Sequence, residues 1–162
     1  MDDRAVVARQ LGREPRALRR VAVRCPWGRP AVTEQAPFDE RGEPFPTTFY
    51  LTCPWLVAAI ARLEAAGGVE RWTRAAADDP ALAASRAAAD DEQRRLRREL
   101  AGGREGPGLD LGIAGSGRAG SLKCLHAHAA FALARGGYEL GARILAEVEP
   151  LWPAERCCSA DL

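Results

Sequence analysis

Five side chains in this sequence have the chemistry to bind a metal ion: Cys25, Cys53, Cys124, His126 and His128. Thiolate and imidazole are ligands that zinc prefers, and three cysteines with one histidine form a tetrahedral zinc site in many proteins. We therefore predict that the three cysteines bind Zn²⁺ with one of the two histidines as the fourth ligand. An iron–sulfur cluster is the second interpretation of the same ligand set.

The hexapeptide KCLHAH at 123–128 carries the strongest indication of a site. Lys123 is the only lysine of the chain, and the two histidines of this segment are the only ones present. On a regular helix Cys124 and His128 lie four residues apart on one face, whereas His126 points away from Cys124. Cys124 and His126 can converge only if the first turn of that helix is irregular.

A thiol-dependent enzyme is the first alternative function. Cys53 comes directly before a proline that suits the first position of a helix, so its thiol should lie at a helix N-terminus. The helix dipole favours the thiolate there, and the thiolate is the form that attacks electrophiles. The nucleophile would be Cys53 or Cys124, the base His126 or His128, and the electrostatic helper Lys123.

A non-catalytic interaction module is the second alternative. Free cysteine is among the most buried residue types, so the cysteines could serve only as small apolar core residues. In that case the protein would act by binding a partner protein, and no metal or nucleophile would be involved.

Composition limits the class of protein. The chain has 162 residues, of which 47% are apolar and 28% charged, with a formal net charge of +1. This size and balance predict a single α+β domain over 1–150, followed by a flexible tail over 151–162. The sequence begins without the apolar run of a signal peptide and contains none long enough to cross a membrane. We therefore expect a cytoplasmic protein without membrane insertion.

Two further patterns argue against nucleotide and nucleic-acid sites. The segment GSGRAG at 115–120 matches a dinucleotide-binding spacing, but no βαβ unit follows it, so we expect a loop there. The arginines at 94–98 are flanked by acidic residues, as on a solvated helix face, and few aromatic residues accompany them. These patterns therefore argue against nucleic-acid binding as the function.

The hydrophobic pattern predicts a small antiparallel sheet of about three strands packed with five to six helices. The strands are predicted at 17–24, 30–35 and 47–52. The helices are predicted at 2–11, 53–66, 69–77, 79–101, 121–135 and 138–149. Loops are expected at 36–46 and 102–120, with a further short strand at 109–113. Cys25 and Cys53 follow the first and third strands and would meet if those strands were neighbours.

Several motifs in order resemble one known family. They are ARQLGREP, RCPWG, PFPTTFYLTCP, GIAG and KCLHAH. Together they resemble domain of unknown function 501, an uncharacterised family widespread in actinobacteria, over roughly residues 4–148. The resemblance implies a bacterial cytoplasmic protein and makes the cysteines, histidines and lysine named above motif positions. Relatives encoded beside septum-initiation genes would connect an interaction module to cell division or the envelope.

Overall fold

The fold is known from a computed structural model, which describes residues 2–117 and 120–162. The described residues form six α-helices and one three-stranded antiparallel sheet, which confirms the predicted α+β class. The strands are β1 (Leu18–Arg24), β2 (Pro30–Gln35) and β3 (Phe49–Leu51). The helices are α1 (Asp3–Leu11), α2 (Pro54–Ala65), α3 (Gly68–Asp78), α4 (Pro80–Ala101), α5 (Leu125–Arg135) and α6 (Glu139–Ala146).

The sheet has the order β1-β2-β3, so β2 is its central strand. Val32 of β2 pairs with Val23 on one side and with Leu51 on the other. All six residues of β2 are buried, because α5 packs against the sheet and α1 contacts β2. The first and third strands are therefore not neighbours, and residues that follow them are separated by the width of β2.

Helix α5 is the centre of the hydrophobic core. Its Phe131 ring contacts Phe49 of β3 edge-to-face at a centroid distance of 5.8 Å, and Tyr138 at 5.6 Å. Helix α6 approaches α5 closely at Gly141, where an added Cβ would lie 2.6 Å from the Cβ of Ala132. These contacts fix α5, and with it the KCLHAH segment, relative to the sheet.

Helix α4 holds two long loops through a polar inner face. The guanidinium of Arg97 is fully buried and donates hydrogen bonds to the carbonyls of Phe45 and Gly108 and to the hydroxyl of Thr48. The carboxylate of Asp90 accepts the backbone N–H of Ile113 at 2.8 Å. Buried polar groups must be hydrogen-bonded, so these side chains specify the path of both loops.

Several predicted elements differ from the structure, since β3 is shorter than 47–52 and α6 ends at Ala146 and not at 149. Helix α5 begins at Leu125, not at 121, because Lys123 has a left-handed backbone (φ 62°) and Cys124 is extended. The predicted strand at 109–113 does not form; a short 3₁₀ turn at Ile113–Gly115 lies at its end. Positions 118 and 119 of the GSGRAG segment lie outside the described residues. No helix in the described ranges combines the length and apolarity that a membrane span requires.

The segment after α6 contacts the domain. Cys157 and Ser159 are buried, with 7% and 1% of their surface exposed. The amide of Gln10 on α1 donates to the Ser159 hydroxyl at 3.0 Å, and the indole of Trp55 donates to the Pro150 carbonyl at 3.0 Å. The division into a domain over 1–150 and a flexible tail over 151–162 stays a prediction, but the tail cysteines have defined surroundings.

Candidate metal centre

Three side chains with metal-binding atoms converge between helices α2 and α5. Glu64 lies in the last turn of α2, Cys124 is the N-cap of α5, and His126 is in the first turn of α5. The carboxylate, thiol and imidazole ligand atoms all lie within 4.8 Å of one another. Among the described residues this is the one group of three or more histidine, cysteine or acidic side chains that meets that spacing.

The irregular start of α5 makes this convergence possible. The extended backbone of Cys124 (φ −147°, ψ 114°) precedes the first helical residue, so Cys124 and His126 are not related by helical rotation. Glu64 fixes this entry, because its Oε2 accepts the backbone N–H of Leu125 at 2.8 Å. That hydrogen bond satisfies a free donor of the helix and places a carboxylate at its positive end.

The histidine is oriented by a backbone carbonyl. Nε2 of His126 lies 3.1 Å from the oxygen of Val57, a permanent acceptor, so Nε2 carries a proton and donates it. Nδ1 of the same ring lies 3.1 Å from Oε1 of Glu64. Burial lowers the pKa of the His126 imidazole, but the bonds to Cys124 and Val57 and the charge of Glu64 outweigh this effect. The net result is a raised pKa of the His126 imidazole, whose Nδ1 lies opposite the Glu64 carboxylate.

A cavity of about 570 Å³ lies beside this group and has Cys124 and His126 in its wall. Most of its other lining residues are apolar or aromatic, among them Phe49, Leu51 and Val57. Pockets that are largely apolar, with a few convergent polar groups, are the usual places where small ligands bind. The thiol and imidazole therefore face space that a small molecule can enter.

The sequence profile of a protein family of unknown function, DUF501, matches residues 21–146. The chain belongs to this family. Neither a curated protein nor a solved structure matches the chain. The DUF501 match includes Glu64, Cys124 and His126, whereas Cys157 and Cys158 lie beyond its end.

His128, a predicted ligand, lies in the core of this DUF501 protein, where both of its ring nitrogens are used. Nε2 donates to the carbonyl of Leu122 at 3.1 Å, so Nδ1 accepts the hydroxyl proton of Tyr138 at 2.7 Å. Burial lowers the pKa of His128 to about 4, which keeps the ring neutral. These contacts make His128 a structural residue of the core. His126 is the histidine that lies beside Cys124.

Cys25 and Cys53 are not brought to Cys124. The Sγ of Cys25 lies 3.8 Å from that of Cys157, and the Sγ of Cys53 lies 3.6 Å from that of Cys158. Burial raises the pKa of the Cys53 thiol to about 12, despite its place at the N-terminus of α2. Of the five residues expected in one cluster, this DUF501 fold brings only Cys124 and His126 together, whereas Cys25, Cys53 and His128 have other neighbours.

Lys123 forms hydrogen bonds with residues other than Cys124 and His126. Its ammonium donates to the carbonyl of Gly115 at 3.2 Å, and its backbone N–H donates to the hydroxyl of Ser121 at 3.0 Å. These bonds stabilise the left-handed turn that leads into α5. The structure therefore gives Lys123 a role in shaping the entry to the candidate metal centre.

Sequence reasoning missed three of the residues that the structure brings to these places: Glu64, Cys157 and Cys158. Glu64 is one of several charged residues on an amphipathic helix, and nothing in its local sequence distinguishes it from them. The adjacent cysteines offered a better indication, because two thiols in a terminal segment of this DUF501 chain are unusual for a solvated tail.

Proposed function

We propose that this protein binds a divalent metal ion, zinc by preference, through Glu64, Cys124 and His126. The convergence of a carboxylate, a thiol and an imidazole supports this proposal. All three are zinc ligands, and a mixed set of oxygen, sulfur and nitrogen suits a borderline-soft ion. Metal ions bind the deprotonated forms of thiol and imidazole ligands, so metal binding would release protons.

The observation that carries the proposal is the outer set of hydrogen bonds. Histidines that bind metals usually donate their second ring N–H to a carbonyl or carboxylate, as His126 does to Val57. Ligating carboxylates are held in the same way, and Oε2 of Glu64 accepts the N–H of Leu125. Nδ1 and Oε1 remain on the inner side, 3.1 Å apart. Two of the three ligands are therefore already oriented.

Three protein ligands leave one position of a tetrahedral zinc ion for water or substrate, which is the pattern of catalytic and not structural sites. When bound, zinc lowers the pKa of its water and polarises carbonyl or phosphoryl oxygens. The adjoining cavity would admit a small, partly apolar substrate. We infer that hydrolysis is the reaction class that this arrangement suits best.

A thiol enzyme is the second candidate, because Cys124, His126 and Glu64 also resemble a nucleophile, a base and an orienting acid. The contacts of the imidazole favour the metal instead. Nε2 is committed to the Val57 carbonyl, so Nδ1 is the one basic nitrogen, and Glu64 already faces it. In a thiol enzyme the Cys124 thiol and the Glu64 carboxylate would both need Nδ1 of His126 as their partner. The interaction module stays a prediction that no contact in the structure tests.

Zinc titration against a chromophoric chelator tests the proposal. The variants Glu64→Gln, Cys124→Ser and His126→Gln should each weaken zinc binding by roughly 100-fold or more, a larger effect than loss of an outer-shell partner. Glu70→Gln changes an exposed acid on α3 and serves as the matched control. Circular dichroism verifies the fold of every variant. Equal zinc affinity in the wild type and in Cys124→Ser would overturn the proposal.

A further inference from the structure

Four of the five cysteines lie in a second cluster, away from Glu64 and His126. We name Cys25, Cys53, Cys157 and Cys158 the four-thiol cluster. It consists of two close pairs, Cys25 with Cys157 at 3.8 Å and Cys53 with Cys158 at 3.6 Å between sulfur atoms. Three of the four residues are buried, and Cys158 is exposed.

The sheet positions one member of each pair. Cys25 follows β1 and Cys53 follows β3, so the two flank the start of the central strand β2. The backbone N–H of Cys53 donates to the carbonyl of Ala31 on β2 at 3.3 Å. Because β2 lies between them, these two thiols cannot pair with one another, and each pairs with a cysteine from the C-terminal segment.

The C-terminal segment is held in place by contacts other than the thiols. The hydrogen bonds from Gln10 to Ser159 and from Trp55 to the Pro150 carbonyl fix it on both sides of the Cys157-Cys158 dipeptide. The backbone N–H of Ser159 also donates to the Sγ of Cys157 at 3.4 Å. The two close sulfur pairs are therefore a product of the fold.

The sulfur separations indicate the kind of centre. Two thiolates on one tetrahedral metal ion, with metal–sulfur bonds of about 2.3 Å, lie roughly 3.8 Å apart. Both pairs of the four-thiol cluster match that separation. A single zinc ion would bring all four sulfurs to this distance, but among the described residues no three of them lie within 4.8 Å of one another. Two metal ions, each with one pair, fit this arrangement better than one.

We propose that the four-thiol cluster binds a [2Fe–2S] cluster, with Cys25 and Cys157 on one iron and Cys53 and Cys158 on the other. Four cysteine thiolates, two for each iron, are the standard ligands of this cofactor. Each thiol releases its proton as its sulfur binds iron, and no electrons are transferred in that step. Burial of three ligands shields one side of the cluster, and the exposed Cys158 leaves the other side open for electron exchange.

Reconstitution of the full chain tests this proposal. The protein is incubated without oxygen with ferric iron, sulfide and an excess of a small thiol, and is then desalted. We expect about two irons and two acid-labile sulfides per chain, with visible absorption bands of a [2Fe–2S] centre. Cys158→Ala should abolish all three signals without disturbing the core, because Cys158 is exposed. Cys124→Ser is the matched control and should retain them.

Three results would overturn the inference. The first is iron and sulfide content in Cys158→Ala equal to that of the wild type. The second is one zinc ion per chain that is lost with Cys158→Ala but not with Cys124→Ser, which would indicate a mononuclear site. The third is iron-free protein whose paired thiols form disulfides. None of these depends on the zinc proposal, whose failure is seen in the Cys124→Ser titration.

Discussion

Two histidines two residues apart have opposite environments in this protein. His126 faces a carboxylate and a thiol at the wall of a cavity, whereas His128 is enclosed and bonded to Tyr138 and Leu122. Since the pKa of His126 is raised whereas burial lowers that of His128, and both ring nitrogens of His128 have partners, the two are not interchangeable as ligands. Of the two histidines in KCLHAH, His126 is therefore available for chemistry and His128 belongs to the core.

The buried histidine predicts a pH dependence of stability. Its pKa is about 4 in the folded protein and 6.5 when exposed, so the unfolded state binds the proton more tightly. The stabilisation is complete above pH 6.5 and is lost as the pH falls toward 4, by up to ~3 kcal/mol. Urea unfolding with a chelator present, at several pH values, measures the slope.

The variant His128→Gln isolates this effect from other titrating groups. It should be less stable than the wild type at pH 7, because it breaks the bond pattern with Tyr138 and Leu122. It should also show a shallower loss of stability between pH 6.5 and pH 4. The same slope in both proteins would mean that His128 is not held neutral by burial.

At the residue scale, the sequence could reveal Cys124 and His126 but not Glu64. The rare residue types in KCLHAH marked the segment, and an irregular first turn was the stated condition for their convergence. Glu64 lies 61 residues before Leu125, the residue it bonds, so only the packing of α2 against α5 shows that they meet. A ligand that comes from a different helix, as Glu64 does, cannot be recognised from the sequence around Cys124 and His126.

At the element scale, the close approach of α6 to α5 predicts a strict need for glycine at 141. A Cβ there would lie 2.6 Å from Ala132, 2.7 Å from Tyr138 and 3.0 Å from the carbonyl of His128. Gly141→Ala should therefore lower the free energy of unfolding by about 1–3 kcal/mol, as overpacked cores do. Chemical denaturation measures the loss. Gly117→Ala, with no atom near the added Cβ, should change stability by less than about 0.5 kcal/mol.

The polar inner face of α4 leads to another element-scale prediction. Arg97→Met removes the donors to Phe45, Gly108 and Thr48 and leaves buried acceptors unpaired. We expect a loss of about 3 kcal/mol, since hydrogen bonds to charged groups are among the strong ones. Arg98→Met, at an exposed neighbour, should cost no more than about 1 kcal/mol. Similar losses for both would contradict the structural role of Arg97.

Strands and helices with regular patterns were predicted well, but the buried polar side of α4 was not. The alternation in β1 and the proline at the start of α2 located those elements within a residue or two. In contrast, α4 has few large apolar residues. Its buried side includes Asp90, Gln93 and Arg97, and loops supply their partners. Apolar periodicity cannot detect a face that is buried through hydrogen bonds.

At the scale of the whole molecule, the cysteines expected in one site lie in separate places. Cys25 and Cys53 follow strands on either side of β2, and the C-terminal cysteines meet them there. Cys124 lies instead with Glu64 and His126, between helices α2 and α5. Strand order decided this outcome, because neighbouring first and third strands would have brought Cys25 and Cys53 together. Strand order cannot be read from strand patterns alone.

Zinc K-edge X-ray absorption of the full-length protein loaded with one equivalent of zinc tests the central claim most directly, because it reports only the atoms around zinc. The account predicts one sulfur at about 2.3 Å and nitrogen or oxygen neighbours at about 2.0–2.2 Å, with the sulfur lost in Cys124→Ser. A shell of four sulfurs, or a spectrum unchanged by Cys124→Ser, would show that zinc is bound elsewhere and would contradict the Glu64–Cys124–His126 centre.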